Sequence, residues 1–241
     1  MIDTHAHLDA CAEPAGRLVA AAREAGVSRI LTIGREQAVE LAGSLPEVWA
    51  VAGWHPHEAG EVSDATAIEP LLDHPRVVAV GECGLDYYRG HAPRDAQLDV
   101  FRAQIGIANR AGLPLVIHTR EADEDTFREL EAAQVPVVLH CFSSVGRVEE
   151  AGRRGYYCSF AGNVTYPAAV DLRAAAAAVP GDRILAETDS PYLAPVPLRG
   201  RPNQPANVMH TLRVLADARG VDPAELEAQI ERNAAAVFGL T

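Results

Sequence analysis

Short runs of β-branched and other apolar residues alternate along the chain with longer stretches rich in Ala, Leu, Arg and Glu. The short runs predict β-strands, and the longer stretches, whose apolar residues recur with helical periodicity, predict the helices between them. The eight predicted strands are 2–5, 29–34, 48–53, 77–82, 115–118, 137–140, 157–160 and 184–187. The predicted helices are 15–25, 36–44, 64–73, 94–111, 121–133, 145–154, 168–179, 207–219 and 223–238.

This alternation predicts an α/β fold with a parallel sheet, because parallel strands need crossover helices between them. Eight such units in 241 residues favour a single-domain (β/α)8 TIM barrel over residues 1–241. The alternative is an open doubly wound sheet, but no GxGxxG follows the first strand. The Pro- and Arg-rich segment 194–205 reads as a loop after the eighth strand.

Charge and composition exclude several classes of protein and of catalytic site. The formal net charge of −12 argues against a broad basic groove for duplex nucleic acid. All 21 basic residues are arginine, which excludes a P-loop lysine, a Schiff-base lysine and a carboxylated lysine between two metal ions. We find no transmembrane segment and no signal peptide. The four scattered cysteines form no CxxC pair, as expected of reduced thiols in a cytoplasmic protein.

Imidazole and carboxylate groups stand at the ends of predicted strands. His5 and His7 form an HxH pair at the first, and alternation along a strand directs both rings to the same face. The others end the fourth, fifth, sixth and eighth strands: Glu82, His118, His140 and Asp189. Strand ends meet at the C-terminal mouth of a (β/α)8 barrel, so all six are expected to converge there.

Mixed imidazole and carboxylate ligands suit divalent transition ions, and six of them suit two ions better than one. We expect His5, His7 and Asp189 to hold the first ion, and His118 and His140 the second. With no lysine available, Glu82 is the best candidate for the bridging ligand. Four imidazoles favour Zn²⁺, Mn²⁺, Co²⁺ or Fe²⁺ over Mg²⁺. Two ions of this kind activate a water and stabilise a displacement centre.

The sequence resembles the TatD-related DNases, a branch of the metal-dependent amidohydrolase superfamily. The resemblance runs from residue 3 to about residue 205. It rests on DTHAHLD, GWHPH, GECGLDYY, VIHTRE, LHCFSS, ETDSPYLAP and NQP, in this order. It implies a (β/α)8 barrel and hydrolysis of DNA phosphodiester bonds, mostly from the 3′ end of single strands. DNA ends are thus the implied partner, and we infer no membrane and no obligate protein partner.

The resemblance also implies roles for individual residues. It gives the first ion Glu82 in addition to His5, His7 and Asp189, and the second ion Glu82, His118 and His140. It implies that Mg²⁺ or Mn²⁺ supports activity. His55 and Arg120 match positions that face the scissile phosphate. We expect Asp189 to be the base for the attacking water.

Two other functions stay open at this point. The same centre cleaves other esters and amides in the wider superfamily, and hydrolysis of the ester in aminoacyl-tRNA is one example. A non-catalytic metal-binding protein is the other, although Asp189 has no evident structural need. Outside the six ligands, we expect Cys83 and Cys141 to fill space between sheet and helices. We expect His57 to take a rim position, and Asp86 to orient the loop after Glu82.

Overall fold

A computed structural model describes residues 1–240, and within them eight strands form one parallel sheet in chain order. Each strand pairs in parallel with the next. The strands are β1 Ile2–Ala6, β2 Arg29–Gly34, β3 Val48–Ala52, β4 Val77–Asp86, β5 Leu115–Arg120, β6 Val137–Leu139, β7 Tyr157–Phe160 and β8 Ile184–Ala186. The predicted (β/α)8 barrel is therefore confirmed. The predicted end of the domain, residue 241, lies outside the described residues.

The sheet closes through backbone hydrogen bonds between the end of β1, with the residue after it, and the segment that follows β8. The Asp189 amide donates to the His5 carbonyl at 2.9 Å, and the His7 amide donates to the Ser190 carbonyl at 2.7 Å. The buried carboxylate of Asp3 accepts from the Thr188 amide at 2.8 Å. This closing seam joins the first strand to the segment after the eighth, and both carry predicted metal ligands.

Helices cover the outside of the barrel, and apolar side chains fill the layer between helices and strands. They are α1 Ala15–Glu24, α2 Glu36–Ser44, α3 Glu69–Leu72, α4 Arg94–Ala111, α5 Asp123–Glu129, α6 Val148–Arg153, α7 Val170–Ala178, α8 Val208–Arg219 and α9 Pro223–Phe238. None of the helices in residues 1–240 is long and apolar enough to cross a membrane.

The largest departure from the predicted helices is at 64–73, where the structure has two short pieces. A 3₁₀ helix spans Ala65–Ile68, and α3 follows with only four residues. Pro70 lies in the first turn of α3. Because proline lacks an amide hydrogen, it cannot donate to a carbonyl in the preceding turn, and one continuous helix is interrupted.

Two glycines allow β4 to lie unusually close to β5. Gly81 and Gly84 have φ values of +151° and +137°. A Cβ on Gly84 would lie 2.0 Å from the His118 carbonyl oxygen, and one on Gly81 would lie 2.5 Å from that of Val116. Only glycine fits such positions. This close approach sets Glu82 of β4 beside His118 of β5.

Candidate metal centre

The six predicted ligands come together at the C-terminal mouth of the barrel. A cavity of about 1210 Å³ opens there, and five of the six side chains line it. His5, the sixth, lies just beneath and is fully buried. Asp189 and Cys141 adopt left-handed backbone conformations, with φ values of +55° and +44°. Such backbone is costly for these residues and is found where a site demands it.

Glu82 lies at the centre of the cluster, and a different pair of the predicted ligand histidines faces each of its carboxylate oxygens. Oε2 lies 3.2 Å from His5 Nε2 and 3.6 Å from His7 Nε2. Oε1 lies 2.7 Å from His118 Nδ1 and 2.9 Å from His140 Nε2. The side chain is only 3% exposed. A carboxylate placed in this way can offer one oxygen to each of two cations.

Asp189 completes the half of the cluster around His5 and His7. Its Oδ1 lies 3.4 Å from His7 Nε2 and 4.0 Å from His5 Nε2. Its side chain is 13% exposed and reaches the cavity. On this side of Glu82, Asp189 and His7 are thus the ligand candidates that face the cavity, whereas His5 is fully buried.

The state of His5 shows that the donor set fits a cation. Neither ring nitrogen makes a hydrogen bond to any of residues 1–240, although both are buried. Burial lowers the pKa of His5 to about 3, so the ring is neutral and keeps a free lone pair. A buried polar atom without a partner is costly, and a cation bound between His5, Glu82 and Asp189 would supply that partner.

Within the described chain, four triads of ligating side chains have donor atoms within 4.8 Å of one another. Three consist only of the six predicted residues: His5 His7 Glu82, His5 His140 Asp189, and Glu82 His118 His140. The fourth is His55 His57 His118. The His57 and His118 rings in this last group already pair with Asp86, so the first three are better suited to a cation.

Two buried carboxylates hold the histidines in place: Glu187, which the sequence analysis did not select, and Asp86, whose contact with a histidine it did not predict. Glu187 Oε1 lies 2.9 Å from His140 Nδ1 and accepts the Cys141 amide at 2.8 Å. Asp86 Oδ2 lies 3.2 Å from His118 Nε2. Each contact fixes one ring nitrogen and leaves the other directed at Glu82. In the sequence, Glu187 directly follows the apolar run Ile-Leu-Ala of the eighth strand, and this position at a strand end could have indicated a role at the mouth.

In the cluster, the acids and the histidines stabilise each other's charged forms against the effect of burial on their pKa values. Burial on its own would raise the pKa of Glu82, but the charge of His140 and the hydrogen bond from His118 help to outweigh burial, and the pKa is held well below its usual value. Burial likewise opposes the charged form of His140, yet Glu82 and Glu187 raise the pKa of that ring well above its usual value. Glu82 is therefore ionised, and the positive charge around it comes from histidine protons that a bound cation would replace.

His55 and Arg120, the two predicted phosphate contacts, both line the cavity. His55 Nε2 lies 3.6 Å from Glu82 Oε1, and its Nδ1 accepts the His57 amide at 3.1 Å. The Arg120 guanidinium lies 4.0 Å above the ring of Tyr88, at the exposed edge of the mouth. His55 thus lies next to the cluster and Arg120 lies at its rim.

Four residues next to the predicted ligands also had predicted positions, and the structure agrees with three of them. His57 takes a rim position, where Nε2 pairs with Asp86 at 2.8 Å. Asp86 does orient the loop after Glu82, since it accepts the amides of Tyr88 and Arg89. Cys83 is fully buried as expected. The expectation for Cys141 is wrong, because its left-handed backbone places this residue in the cavity wall.

A parallel eight-stranded barrel with imidazole and carboxylate groups gathered at its mouth defines the class of metal-dependent hydrolases. Within that class, the family described as TatD related DNase matches residues 2–239. The chain therefore belongs to that family.

Individual relatives agree with this assignment. The "uncharacterized metal-dependent hydrolase YabD" of Bacillus subtilis is 34% identical, over 99% of this chain and 98% of its own. The "3'-5' ssDNA/RNA exonuclease TatD" of Citrobacter rodentium is 37% identical, over 93% and 91%. The crystal structure of the TatD homologue YjjV from Escherichia coli K12 has a TM-score of 0.92 at 27% identity, covering 100% of this chain and 98% of that one.

Proposed function

We propose that the protein is a two-metal deoxyribonuclease that removes nucleotides from the 3′ end of single-stranded DNA. The observation that carries this proposal is the arrangement around Glu82, where each carboxylate oxygen faces its own pair of histidines. The exonuclease name of relatives that are 36–37% identical supports the choice of a phosphodiester and of the 3′ end.

Each ion has its own set of residues in this proposal. The first would be held by His5, His7, Glu82 and Asp189, and the second by Glu82, His118 and His140. When bound, two divalent cations lower the pKa of the attacking water and stabilise the charge that develops on phosphate oxygens during in-line displacement. Mg²⁺, Mn²⁺ and Zn²⁺ are the candidate ions.

The remaining steps belong to the protein. Asp189 lines the cavity and is the more exposed of the two acids of the cluster, at 13% against 3% for Glu82, so it is placed to accept the proton of the attacking water. Arg120 and His55 line the cavity and would stabilise charge on the transferring phosphate. We also propose a cytoplasmic location, since all four cysteines are free thiols.

The test is a digestion series with protein stripped of metal by EDTA and reloaded with Mg²⁺, Mn²⁺ or Zn²⁺. A single-stranded DNA labelled at its 5′ end should be shortened in single-nucleotide steps, and duplex DNA and RNA report the substrate preference. Glu82→Ala should reduce the rate by roughly 100-fold or more, because both ions lose a shared ligand. Glu149→Ala is the control, since the Glu149 side chain is 91% exposed on α6.

Two results would contradict the proposal. One is equal activity of the EDTA-treated and metal-loaded proteins, which would exclude a role for cations. The other is near-normal digestion by Glu82→Ala. An aminoacyl ester of tRNA is assayed in parallel, and hydrolysis of this ester without digestion of DNA would favour the alternative ester hydrolase.

A further inference from the structure

The mouth of the barrel carries two exposed aromatic side chains. Six large apolar side chains among residues 1–240 are exposed, and four of them are valines. The other two are Tyr88 and Tyr192, which are 55% and 56% exposed. Tyr192 lines the cavity, and Tyr88 lies against Arg120, which lines it too. Exposed aromatic rings at such a place offer flat apolar faces on which a ligand can stack.

The two rings flank the metal-ligand cluster from different sides. Tyr88 lies two residues beyond the end of β4, and its amide donates to Asp86 Oδ1 at 3.0 Å. Tyr192 follows β8, and its amide donates to the Asp189 carbonyl at 2.8 Å. In a sheet of eight strands ordered from β1 to β8, β4 and β8 lie across the barrel from each other. Tyr192 also lies near a predicted ligand, with its ring 5.9 Å from that of His7.

Arginines add positive charge on the Tyr88 side. The guanidinium of Arg120 lies 4.0 Å from the Tyr88 ring, and that of Arg89 lies 6.0 Å from it. No carboxylate of the described residues lies within 4.0 Å of either guanidinium. In a protein of net charge −12, two arginines without an acidic partner at the mouth favour a polyanion at this point.

We propose that Tyr88, with Arg120 against its ring, and Tyr192 are stacking positions for two bases of one nucleic acid strand, one on each side of the metal cluster. This inference rests on the proposed nuclease function and specifies how its substrate is held. Every base has a π face, so stacking binds single strands without regard to sequence. A base within a duplex is already stacked and paired, so these positions select unpaired ends. Arg89 and Arg120 neutralise backbone phosphates on the Tyr88 side of the metal cluster.

The experiment compares two oligonucleotides of equal length on the metal-loaded enzyme. One is single-stranded oligothymidylate, and the other carries abasic tetrahydrofuran residues at its two 3′-terminal positions. The measured quantity is the ratio of kcat/KM for the two substrates. Both rates scale with the amount of active enzyme, so a partly unfolded variant does not change the ratio. The variants are Tyr88→Ala, Tyr88→Phe, Tyr192→Ala and Tyr192→Phe. The control is Val170→Ala, which removes a 62% exposed side chain at the start of α7.

We expect the wild-type protein and Val170→Ala to prefer the base-bearing strand. In each alanine variant, the ratio of kcat/KM for the base-bearing strand to that for the abasic strand should fall by roughly 5- to 150-fold. In each phenylalanine variant this ratio should stay as in the wild type. An unchanged preference in both alanine variants would overturn the stacking proposal and leave the nuclease function standing. If the phenylalanine variants lose the preference as fully as the alanine variants, the ring is not the binding element, and the proposal is also wrong. Failure of the wild-type protein to digest either oligonucleotide would overturn the nuclease function and this inference together.

Discussion

Glu187 acts on the candidate centre through another residue. It holds Nδ1 of His140 at 2.9 Å and makes no contact with the cavity itself. Carboxylates in this position fix the orientation of a histidine ligand and increase its basicity, and their loss typically weakens metal binding by about 10- to 100-fold. Glu187 would therefore be a positioning residue for the second ion of the proposed centre.

We predict that Glu187→Gln weakens the binding of one Mn²⁺ equivalent by about 10- to 100-fold. The amide oxygen can still accept from His140, but it lacks the negative charge that strengthens the contact. Competition with a chelating dye measures the affinity without any reference to turnover. Glu149→Gln, on the exposed face of α6, should bind both equivalents as the wild type does. Equal affinities in the two variants would exclude a positioning role for Glu187.

Asp86 makes the metal-free protein sensitive to acid. Although burial on its own would raise the pKa of Asp86, hydrogen bonds from His118, the Arg89 amide and His57 lower it below the usual value of 3.8. The unfolded chain therefore binds a proton at a higher pH than the folded chain does. The stabilisation by this carboxylate is complete above pH 3.8 and is lost as pH falls toward the pKa of the folded state.

We predict that the urea midpoint of EDTA-treated wild-type protein falls more steeply between pH 5 and pH 2.5 than that of Asp86→Asn. The variant is less stable at neutral pH, because an amide is a weaker acceptor for the histidines, but its profile is flatter in acid. Parallel profiles for the two proteins would show that Asp86 has an unperturbed pKa.

At this scale, chemistry at predicted strand ends was enough to select the six residues of the cluster. Glu187 and Asp86 could not be selected in the same way, because their roles depend on which ring nitrogen lies within 3.2 Å of them. Such a distance depends on packing across the barrel. Cys141 was misplaced for a related reason: simple strand alternation does not anticipate a left-handed residue just after β6.

At the scale of elements, the contact of β4 with β5 determines where Glu82 and His118 meet. Gly84 permits this contact, since a Cβ there would lie 2.0 Å from a backbone oxygen of β5. Unlike the end of a flexible side chain, backbone cannot move aside without shifting the strand. The substitution of Gly84 therefore tests whether the two strands can separate slightly without loss of the fold.

We predict that Gly84→Ala lowers the free energy of unfolding by about 2–6 kcal/mol, from the unfavourable φ and the overpacking together. Gly90→Ala in the following loop is the matched control, because its φ is also positive, at +63°, and no atom lies within 4 Å of its Cβ position. It should cost only about 1 kcal/mol. Denaturant unfolding measures both, and a similar small loss in the two variants would contradict the close-approach argument.

The order and type of nearly all elements followed from hydrophobic periodicity, because strands buried between barrel core and helices are continuous apolar runs. The residues at which elements begin and end were harder to predict from the sequence. Pro70 divided the predicted helix 64–73, and the fifth helix begins at Asp123 instead of residue 121. These boundaries depend on local hydrogen bonds that periodicity does not record.

At the scale of the whole molecule, cation binding and folding would be linked, because the candidate ligands come from strands that lie far apart in the sequence and meet only in the closed barrel. A ligand that binds only the folded state adds about 2.7 kcal/mol of stability when its concentration is 100 times its dissociation constant. For a protein of this size, that corresponds to a rise in Tm of roughly 5–11 °C.

We predict this rise when Mn²⁺ is added to EDTA-treated wild-type protein, as measured by calorimetry. Asp189→Asn should show a smaller rise, because the amide coordinates a cation more weakly than a carboxylate does. Adding Mn²⁺ to Glu149→Gln should raise Tm as much as in the wild type. The absence of any rise in the wild-type protein would argue against a cation site at the mouth.

The seam between the first and last strands also bears on how the protein is synthesised. His5 and Asp189 are joined by a backbone hydrogen bond, although most of the chain separates them in sequence. While a ribosome is still adding β7, the donor set of the first ion lacks its final carboxylate. Under the proposed nuclease function, a partly translated chain would lack hydrolytic activity toward nucleic acid nearby, and catalysis would begin only after the closing strand had left the exit tunnel.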